Sequence, residues 1–460
     1  MKDLDTIAAV ATPWGEGGVG VLRVSGPGAL SAALALFKPA PRGDILDRYL
    51  HYGRITDGHN DIDIGFLVFM RGPRSYTGED VAELHCHGGP LILKKVLEAL
   101  VDNGARLAGP GEFTRRAFLN GKLDLAQAEA VSDIIRAETE LSLSGARGRL
   151  EGGLSKRVNA IKELLVSLLV HMEAELDFAE DEVDALPADE TLKVLEEAGA
   201  SIKSLVATYE EGKALRDGVG VLILGRPNVG KSSLLNILLK EERAIVTPHP
   251  GTTRDVIEEV VNIRGIPVRL MDTAGLCDAA DHVEAIGVRL ARERITQAAL
   301  ILFVVDSTAD SYEEDIKLLE CADGKKVLII ANKTDLAKEK NLEAVKVSFG
   351  ARKRIFISAL LSDGIEELKD RIYEEAVGRA CGVKGEASEG ELIVSLRHKS
   401  SLMNSLEGIE RTRDAVVNGA AKELIATDLR WSVDRLGEIT GETTTEEILD
   451  KIFGSFCIGK

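Results

Sequence analysis

Aromatic side chains make up only 4% of this 460-residue chain. Its cores must therefore be filled by Leu, Ile, Val and Ala, which suits helices and parallel sheets. Cysteine is scarce and scattered: Cys86, Cys277, Cys321, Cys381 and Cys457 show no paired spacing. This argues against a disulfide framework and a multi-cysteine metal site, and it fits a reducing compartment. No apolar run approaches the roughly 20 residues of a membrane span. The opening Met1-Lys2-Asp3-Leu4-Asp5-Thr6-Ile7 has neither the basic start nor the apolar stretch of a signal peptide. A soluble, cytoplasmic protein is expected. Positive charge is in deficit, with 57 basic against 75 acidic residues and a formal net charge of −18. Nucleic acid would have to be met through a local patch or through a partner.

What is present is a globular composition, 45% hydrophobic, with length for two to four domains. Residues 1–121 read as α+β. Strand-like runs are Val19–Val24, after a turn at Gly15, Gly17 and Gly18, then Ile62–Met70 and Val81–His85. A helix opens at Gly88-Gly89-Pro90 and runs to about Val101. Residues 122–217 are rich in Ala, Glu and Leu. Ile161, Leu164, Leu165, Leu168, Leu169, Met172 and Leu176 follow helical spacing. The same texture returns over 382–460, after a linker-like Gly382–Gly390.

Between these tracts, residues 218–381 alternate strand and helix. The strands expected are Val219–Leu224, Val256–Ile263, Val268–Asp272, Leu300–Asp306, Val327–Ala331 and Ile355–Ile357. Such alternation predicts a mostly parallel, doubly wound sheet. The economical architecture inserts this α/β domain into one helical domain built from both flanks.

The inserted stretch carries the chemistry. Gly225-Arg226-Pro227-Asn228-Val229-Gly230-Lys231-Ser232 lies between an apolar strand and an apolar helix, the context a phosphate-binding loop needs. Lys231 is placed for the terminal phosphates, and Ser232 for Mg²⁺. Asn332-Lys333-Thr334-Asp335 follows a strand. Its aspartate can accept both N1–H and the 2-amino group of guanine, which adenine cannot offer. Ser358-Ala359-Leu360 would close the same pocket. Asp272-Thr273-Ala274-Gly275 ends a strand beside the phosphates, and Gly251-Thr252-Thr253 offers Thr253 as a second hydroxyl for Mg²⁺. Together these motifs specify GTP. The residue after Gly275 is Leu276, which cannot orient water as a glutamine does. Arg226 sits in the loop, but its direction is open. Asn228 could help hold a monovalent cation with carbonyls from the loop Thr247-Pro248-His249-Pro250-Gly251-Thr252, or make only a turn hydrogen bond.

These motifs, the helical flanks and the final Phe456-Cys457-Ile458-Gly459-Lys460 resemble the MnmE/TrmE family of tRNA-uridine modification GTPases. So do Thr77-Gly78-Glu79-Asp80, His87-Gly88-Gly89-Pro90, Gly111-Glu112-Phe113 and Arg116 to Leu125. The resemblance covers essentially the whole chain. It implies a folate-binding N-terminal domain that mediates homodimerisation, a helical domain and an inserted G domain. It further implies an FAD-containing partner of MnmG/GidA type in a heterotetramer. The product would be a carboxymethylaminomethyl group on the wobble uridine of certain tRNAs, with a 5-formyl- or 5,10-methylene-tetrahydrofolate as one-carbon source. G domains would pair in a K⁺-dependent way. Carried over by residue, the resemblance gives Asn228, Thr247, His249 and Thr252 to K⁺, and Ser232 and Thr253 to Mg²⁺. Val229, Gly230, Lys231, Ser233 and Lys333 join the nucleotide site. Glu284 would orient water; from its surroundings alone it is an exposed helix carboxylate. Arg23, Glu79, Lys122 and Lys460 would contact folate.

Cys457 reads either as a reactive thiol beside Lys460 or as a small hydrophobe in a docked tail. In His85-Cys86-His87, strand alternation puts the two histidines on one face, too few ligands for a closed zinc site. The competing reading of the chain is a GTP-gated ribosome-assembly or scaffold factor without one-carbon chemistry.

Overall fold

The computed structural model describes residues 5–41, 43–177, 186–242, 259–272, 294–378 and 389–460. Contacts divide the chain into two compact units, residues 1–132 with 437–460, and residues 133–436.

The first unit is a seven-stranded sheet with helices. In chain order it runs β1 (Ile7–Val10), β2 (Gly17–Ser25), α1 (Ala29–Leu36), β3 (Phe37–Pro39), β4 (His51–Thr56), β5 (Asp61–Met70), β6 (Val81–Gly88), α2 (Pro90–Asp102), β7 (Arg106–Leu107), α3 (Glu112–Leu119) and the start of α4 (Leu125–Arg136). The sheet order is β3-β4-β5-β6-β2-β1-β7. Gly17 and Gly18, expected in a turn, already belong to β2, where they extend its pairing with β6 to Gly88. Period-2 alternation sorts the side chains. Leu22, Val24, Ala82, Leu84 and Cys86 face a core shared with Ala29, Ala33, Leu93, Val96 and Leu100 of α1 and α2. Arg23, Ser25 and Glu83 are left for the opposite face.

The second unit joins helices to the inserted sheet. Its first helices are α5 (Glu140–Leu150), α6 (Gly153–Asp177), α7 (Ala188–Ala207) and α8 (Tyr209–Asp217). The α/β part is β8 (Val219–Leu224), α9 (Lys231–Glu242), β9 (Glu259–Ile263), β10 (Ile266–Asp272), β11 (Leu300–Asp306), α10 (Glu313–Glu320), β12 (Val327–Asn332), α11 (Glu339–Phe349), β13 (Arg354–Phe356) and α12 (Ile365–Val377). The strand order β13-β12-β11-β8-β10-β9 is parallel throughout except for β9, which runs antiparallel to β10. Strand β10 begins at Ile266, two residues earlier than expected, because the tight Arg264-Gly265 turn lets both hairpin arms pair from Ile263 and Ile266. Fully apolar strands such as Leu300–Val305 are buried on both faces, one core lying on each side of the sheet.

Chain return follows α12, with α13 (Leu396–Val417) and α14 (Lys422–Thr440). The two helical flanks meet, as the insertion architecture requires. Gly199 of α7 faces Leu406 and Ile409 of α13, and Lys399 lies 4.2 Å from the Tyr209 ring centroid. The end of the linker-like segment is built in: Gly390 packs backbone to backbone on Gly148. Ile393 donates its N–H to Thr208 Oγ1 at 3.0 Å. Thr139 caps α5 and also donates to the Gly265 carbonyl at 2.7 Å, while Leu141 lies against the Gly265 Cα. Thus the β9–β10 hairpin tip is gripped by the helical flank. The last helix, α15 (Glu446–Phe453), belongs to the first unit, where Leu449, Phe453 and Phe456 pack with Leu125 and Ala128.

Gly212, within α8, offers a test of this packing. Alanine normally favours a helix interior by about 1 kcal/mol over glycine. Here a Cβ would drive into the Ile393 carbonyl oxygen. Gly212→Ala is therefore expected to destabilise the second unit by about 1–3 kcal/mol. Calorimetric unfolding should show the loss; an unchanged or higher transition temperature would contradict the packing.

Candidate functional site

The loop between β8 and α9 is held in a shape few sequences allow. Gly225, Asn228 and Gly230 all have positive φ, of 156°, 64° and 97°. A side chain at Gly225 would strike the Val304 carbonyl, and one at Gly230 the Asn332 amide. Lys231 is buried at the start of α9, where its Nζ donates to the Gly225 and Arg226 carbonyls at 2.9 and 2.8 Å. The loop thus wraps a cation beneath a helix N-terminus, the arrangement that binds phosphate. Ser232 and Ser233 are exposed in the first turn of that helix.

Neighbouring loops are sewn to this one. Asn332 donates to the Val229 carbonyl and accepts from the Ala359 N–H, both at 2.9 Å. Lys333 bridges the Asn228 carbonyl (2.8 Å) and Asp306 (2.6 Å). Burial raises the Asp306 carboxyl, but hydrogen bonds from Lys333 and Thr308 outweigh it and hold the group below the ordinary carboxylate range. Ser358 donates to Asp335 Oδ1 at 2.6 Å and so orients that carboxylate. Leu360 stands exposed beside Ala359, which is buried. Arg226 turns away from the loop and pairs with Glu314 at 2.6 Å, so it is no arginine finger in this conformation. Asn228 is exposed, and its amide makes no hydrogen bond among the described residues.

Asp272 closes β10 opposite Ile223; only its backbone is described. Thr247, Pro248, His249, Pro250, Gly251, Thr252, Thr253, Thr273, Ala274, Gly275, Leu276 and Glu284 lie outside the described residues, as do Cys277 and Cys381.

A second polar cradle occupies the sheet face of the first unit away from α1 and α2. Strand register places Arg23 opposite Glu83 and Ser25 opposite Val81. Arg23 Nε meets Glu83 at 2.8 Å, and its guanidinium carbon lies 5.3 Å and 5.8 Å from the Tyr76 and Phe113 ring centroids. Glu79 accepts from Ser25 Oγ at 2.8 Å and from Arg116 Nη1 at 3.1 Å. The Glu79 loop is tied down by Asn120, which donates to the Thr77 carbonyl at 2.8 Å, and by Lys122, which donates to the Pro73 carbonyl at 3.1 Å.

The chain's tail closes the cradle. Ile458 bridges to Pro110, and the Phe113 N–H donates to the Lys460 carbonyl at 3.2 Å. Gly459, with φ 96°, passes so near the Val10 carbonyl that no side chain fits. Burial, then the neighbouring Arg23 charge, pulls the Lys460 ammonium below the ordinary lysine range. A half-buried cation beside another cation calls for an anion. Arg23, Glu79, Lys122 and Lys460 all belong to this unit; Lys460 feels the Arg23 charge, while Glu79 is held separately by Ser25 and Arg116.

Glu83, Tyr76 and Ser25 were not singled out from sequence. Alternation along β2 and β6 could have flagged Ser25 and Glu83 as partners of Arg23, but the register joining distant strands is not a local signal. His87 pairs with Asp63 at 2.8 Å and His85 approaches Glu83 at 3.4 Å. Among the described residues no group of three or more His, Cys, Asp or Glu could hold a metal ion.

A P-loop α/β domain set between two helical flanks, carried with a tail-closed α+β domain, defines the class. The family model of the MnmE helical domain matches residues 125–457, and that of the GTP-binding protein TrmE N-terminus matches residues 6–122. The tRNA modification GTPase MnmE of Carboxydothermus hydrogenoformans is 44% identical over 462 residues, covering 99% of both chains. That of Aquifex aeolicus is 45% identical over 458 residues, covering 99% of this chain and 100% of its own. The solved G domain of the T. maritima FeoB iron transporter is 31% identical over 34% of this chain and 98% of its own, at a TM-score of 0.27. The chain belongs to the MnmE/TrmE family of tRNA modification GTPases.

Thiol accessibility tests the tail's placement. Cys457 is exposed although the tail docks, so it is not packed as a small hydrophobe. Cys86 is buried, and burial together with the nearby Asp63 charge pushes its thiol up to about 11. At pH 8 iodoacetamide should modify Cys457 in the folded protein and Cys86 only after denaturation, read by peptide mass mapping. Equal labelling of both in the folded state would contradict the fold.

Proposed function

We propose that this chain hydrolyses GTP to drive formation of a carboxymethylaminomethyl group at C5 of the wobble uridine of certain tRNAs, with a tetrahydrofolate derivative as one-carbon donor. The observation that carries this reading is the pairing, on one chain, of a P-loop site with a second cradle of distinct chemistry. That cradle offers cations at Arg23 and Lys460 for a folate's carboxylates. It offers a carboxylate at Glu79 for pterin ring N–H donors and aromatic rings at Tyr76 and Phe113 for a flat heterocycle. Lys122, on the same loop framework, completes the set. Bound folate would supply the one-carbon unit; the chain's residues bind and orient it.

In the nucleotide site Asn332 and Asp335 take guanine, with Ser358, Ala359 and Leu360 bordering it. Gly230, Lys231, Ser232 and Ser233 take the phosphates. Ser232 and Thr253 hold Mg²⁺, and Asn228 with backbone groups of Thr247, His249 and Thr252 holds K⁺. An exposed amide with no hydrogen-bond partner among the described residues suits Asn228 to that role. Glu284 orients water in place of the glutamine that Leu276 replaces. The domains run 1–121, 122–217, 218–381 and 382–460.

Homodimerisation through the first unit finds support in an exposed apolar patch on β4, β5 and the segment before them. Leu46, Tyr49, Leu50, Tyr52, Ile64 and Phe66 are exposed there. The FAD-containing partner would join this dimer. Among the described residues no helix is long and apolar enough to cross a membrane.

Mass analysis of tRNA nucleosides from cells lacking this chain tests the reading most broadly. Loss of the modified wobble uridine is expected; intact modification would favour a scaffold role without one-carbon chemistry. GTP turnover should fall sharply when Na⁺ replaces K⁺, and equal rates in the two salts would remove the cation from Asn228. Glu284→Ala should slow turnover by roughly 10²-fold or more with GTP affinity near wild type. An unchanged rate would make Glu284 an ordinary helix carboxylate.

A further inference from the structure

Arg116 is the most deeply placed charge in the first unit, with only 3% of its side chain exposed. Its Nη2 donates to Asp5 Oδ1 at 2.6 Å and to Glu112 Oε1 at 3.1 Å. Nη1 donates to the Asp5 carbonyl at 2.9 Å and to Glu79 Oε2 and Oε1 at 3.1 and 3.4 Å. The far side of this cluster is anchored. Glu112 also accepts from Arg106 at 2.7 Å and from the Gly109 N–H at 2.7 Å, and Arg106 reaches Asp5 at 2.7 Å. On the near side Glu79 Oε2 takes a second bond from Ser25, whose Oγ lies 2.7 Å from Thr77 Oγ1.

Two features of this arrangement point outward. Three carboxylates (Asp5, Glu79 and Glu112) meet two guanidiniums (Arg106 and Arg116), so one negative charge stays uncompensated within the cluster. Glu79 is also the member of the trio bound to Arg116 alone, without Arg106. Its Oε2 already accepts two good bonds, whereas Oε1 accepts only the long 3.4 Å one. With 21% of the side chain still exposed, the open acceptor capacity of Glu79 faces outward from a fixed base. A carboxylate clamped in this way can receive an N–H donor at Oε1 without first losing rotational freedom.

We propose that Arg116 is a positioning and specificity residue: it locks the Glu79 carboxylate so that the acceptor position left at Oε1 takes an N–H of the 2-amino group of a 2-amino-4-oxopteridine. Arg116 itself does not touch the ligand. This rests on the folate reading of the cradle and adds to it the group that sets its selectivity. Ser25 is the second clamp, weaker because it is neutral.

The test uses the full-length chain and two probes, 5-formyl-tetrahydrofolate and its analogue lacking the 2-amino group, with affinities from titration calorimetry. Wild type should prefer the amino-bearing ligand by roughly tenfold or more, since the analogue leaves an acceptor unpaired. Arg116→Met should erase most of that preference, and Ser25→Ala should reduce it part of the way. Arg116→Lys keeps the charge but not the fork, and it should also lose selectivity. A preference unchanged in Arg116→Lys and Ser25→Ala, even with a lowered unfolding temperature, would make Arg116 purely structural and overturn the proposal. Should Arg116→Met fail to fold, the lysine and Ser25 variants decide alone. If wild type binds neither probe, the folate reading itself fails, a result distinct from loss of selectivity.

Discussion

A guanidinium taken out of water must be met by carboxylates at hydrogen-bond distance, and Arg116 obeys this within the first unit. Its partners come from three separate places: Asp5 just before β1, Glu79 in the loop before β6, and Glu112 at the start of α3. Burying the charge therefore brings these segments into fixed relation. Burial disfavours the Asp5 and Glu112 charges, but the hydrogen bonds from Arg106 and Arg116 more than offset it, and both carboxyls lie below their ordinary range. The position of α3 in turn sets the Phe113 N–H that receives the tail. The cradle, its aromatic wall and its tail-borne lysine all follow from one ion cluster.

The second unit rests on a different constraint, the close approach of backbones. Gly390 on Gly148, Gly212 on Ile393 and Gly265 on Leu141 are contacts that any larger residue would push apart. They allow a nucleotide-binding domain to be inserted between helices without loosening either. The hairpin gripped at Gly265 has β9 and β10 as its arms, and β10 ends at Asp272, opposite Ile223 of β8. One hairpin thus joins the helical flank to the strand that lies beside β8, which leads into the P-loop.

Much of this was legible in the residues themselves. Gly225 to Ser232 marked the tight loop between β8 and α9, and Asn332 to Asp335 the loop at the end of β12, because local motifs encode local shapes. The apolar runs at Val219, Leu300 and Val327 marked buried parallel strands for the same reason. The short β1, with only Ile7–Val10, carries too little periodicity to stand out, yet it lines the cradle through Ile7 and Ala9. Glu83 and Ser25 became visible only through the register of β2 with β6, a pairing across some sixty residues of chain. Docking of the tail onto Pro110 and Phe113 is longer-ranged still. Arg226 shows the converse case: a charged residue inside a motif invites a catalytic role, and its true partner, Glu314, lies on a helix far along the chain.

The central claim is that the chain's last residues complete a folate-binding cradle on the first unit, separate in chemistry from the nucleotide site. Titration calorimetry with 5-formyl-tetrahydrofolate, comparing the full chain with one ending at Phe456, tests it most directly. The account predicts that removing Cys457 to Lys460 abolishes or severely weakens folate binding while GTP binding persists. Undiminished folate affinity in the shortened chain would contradict it.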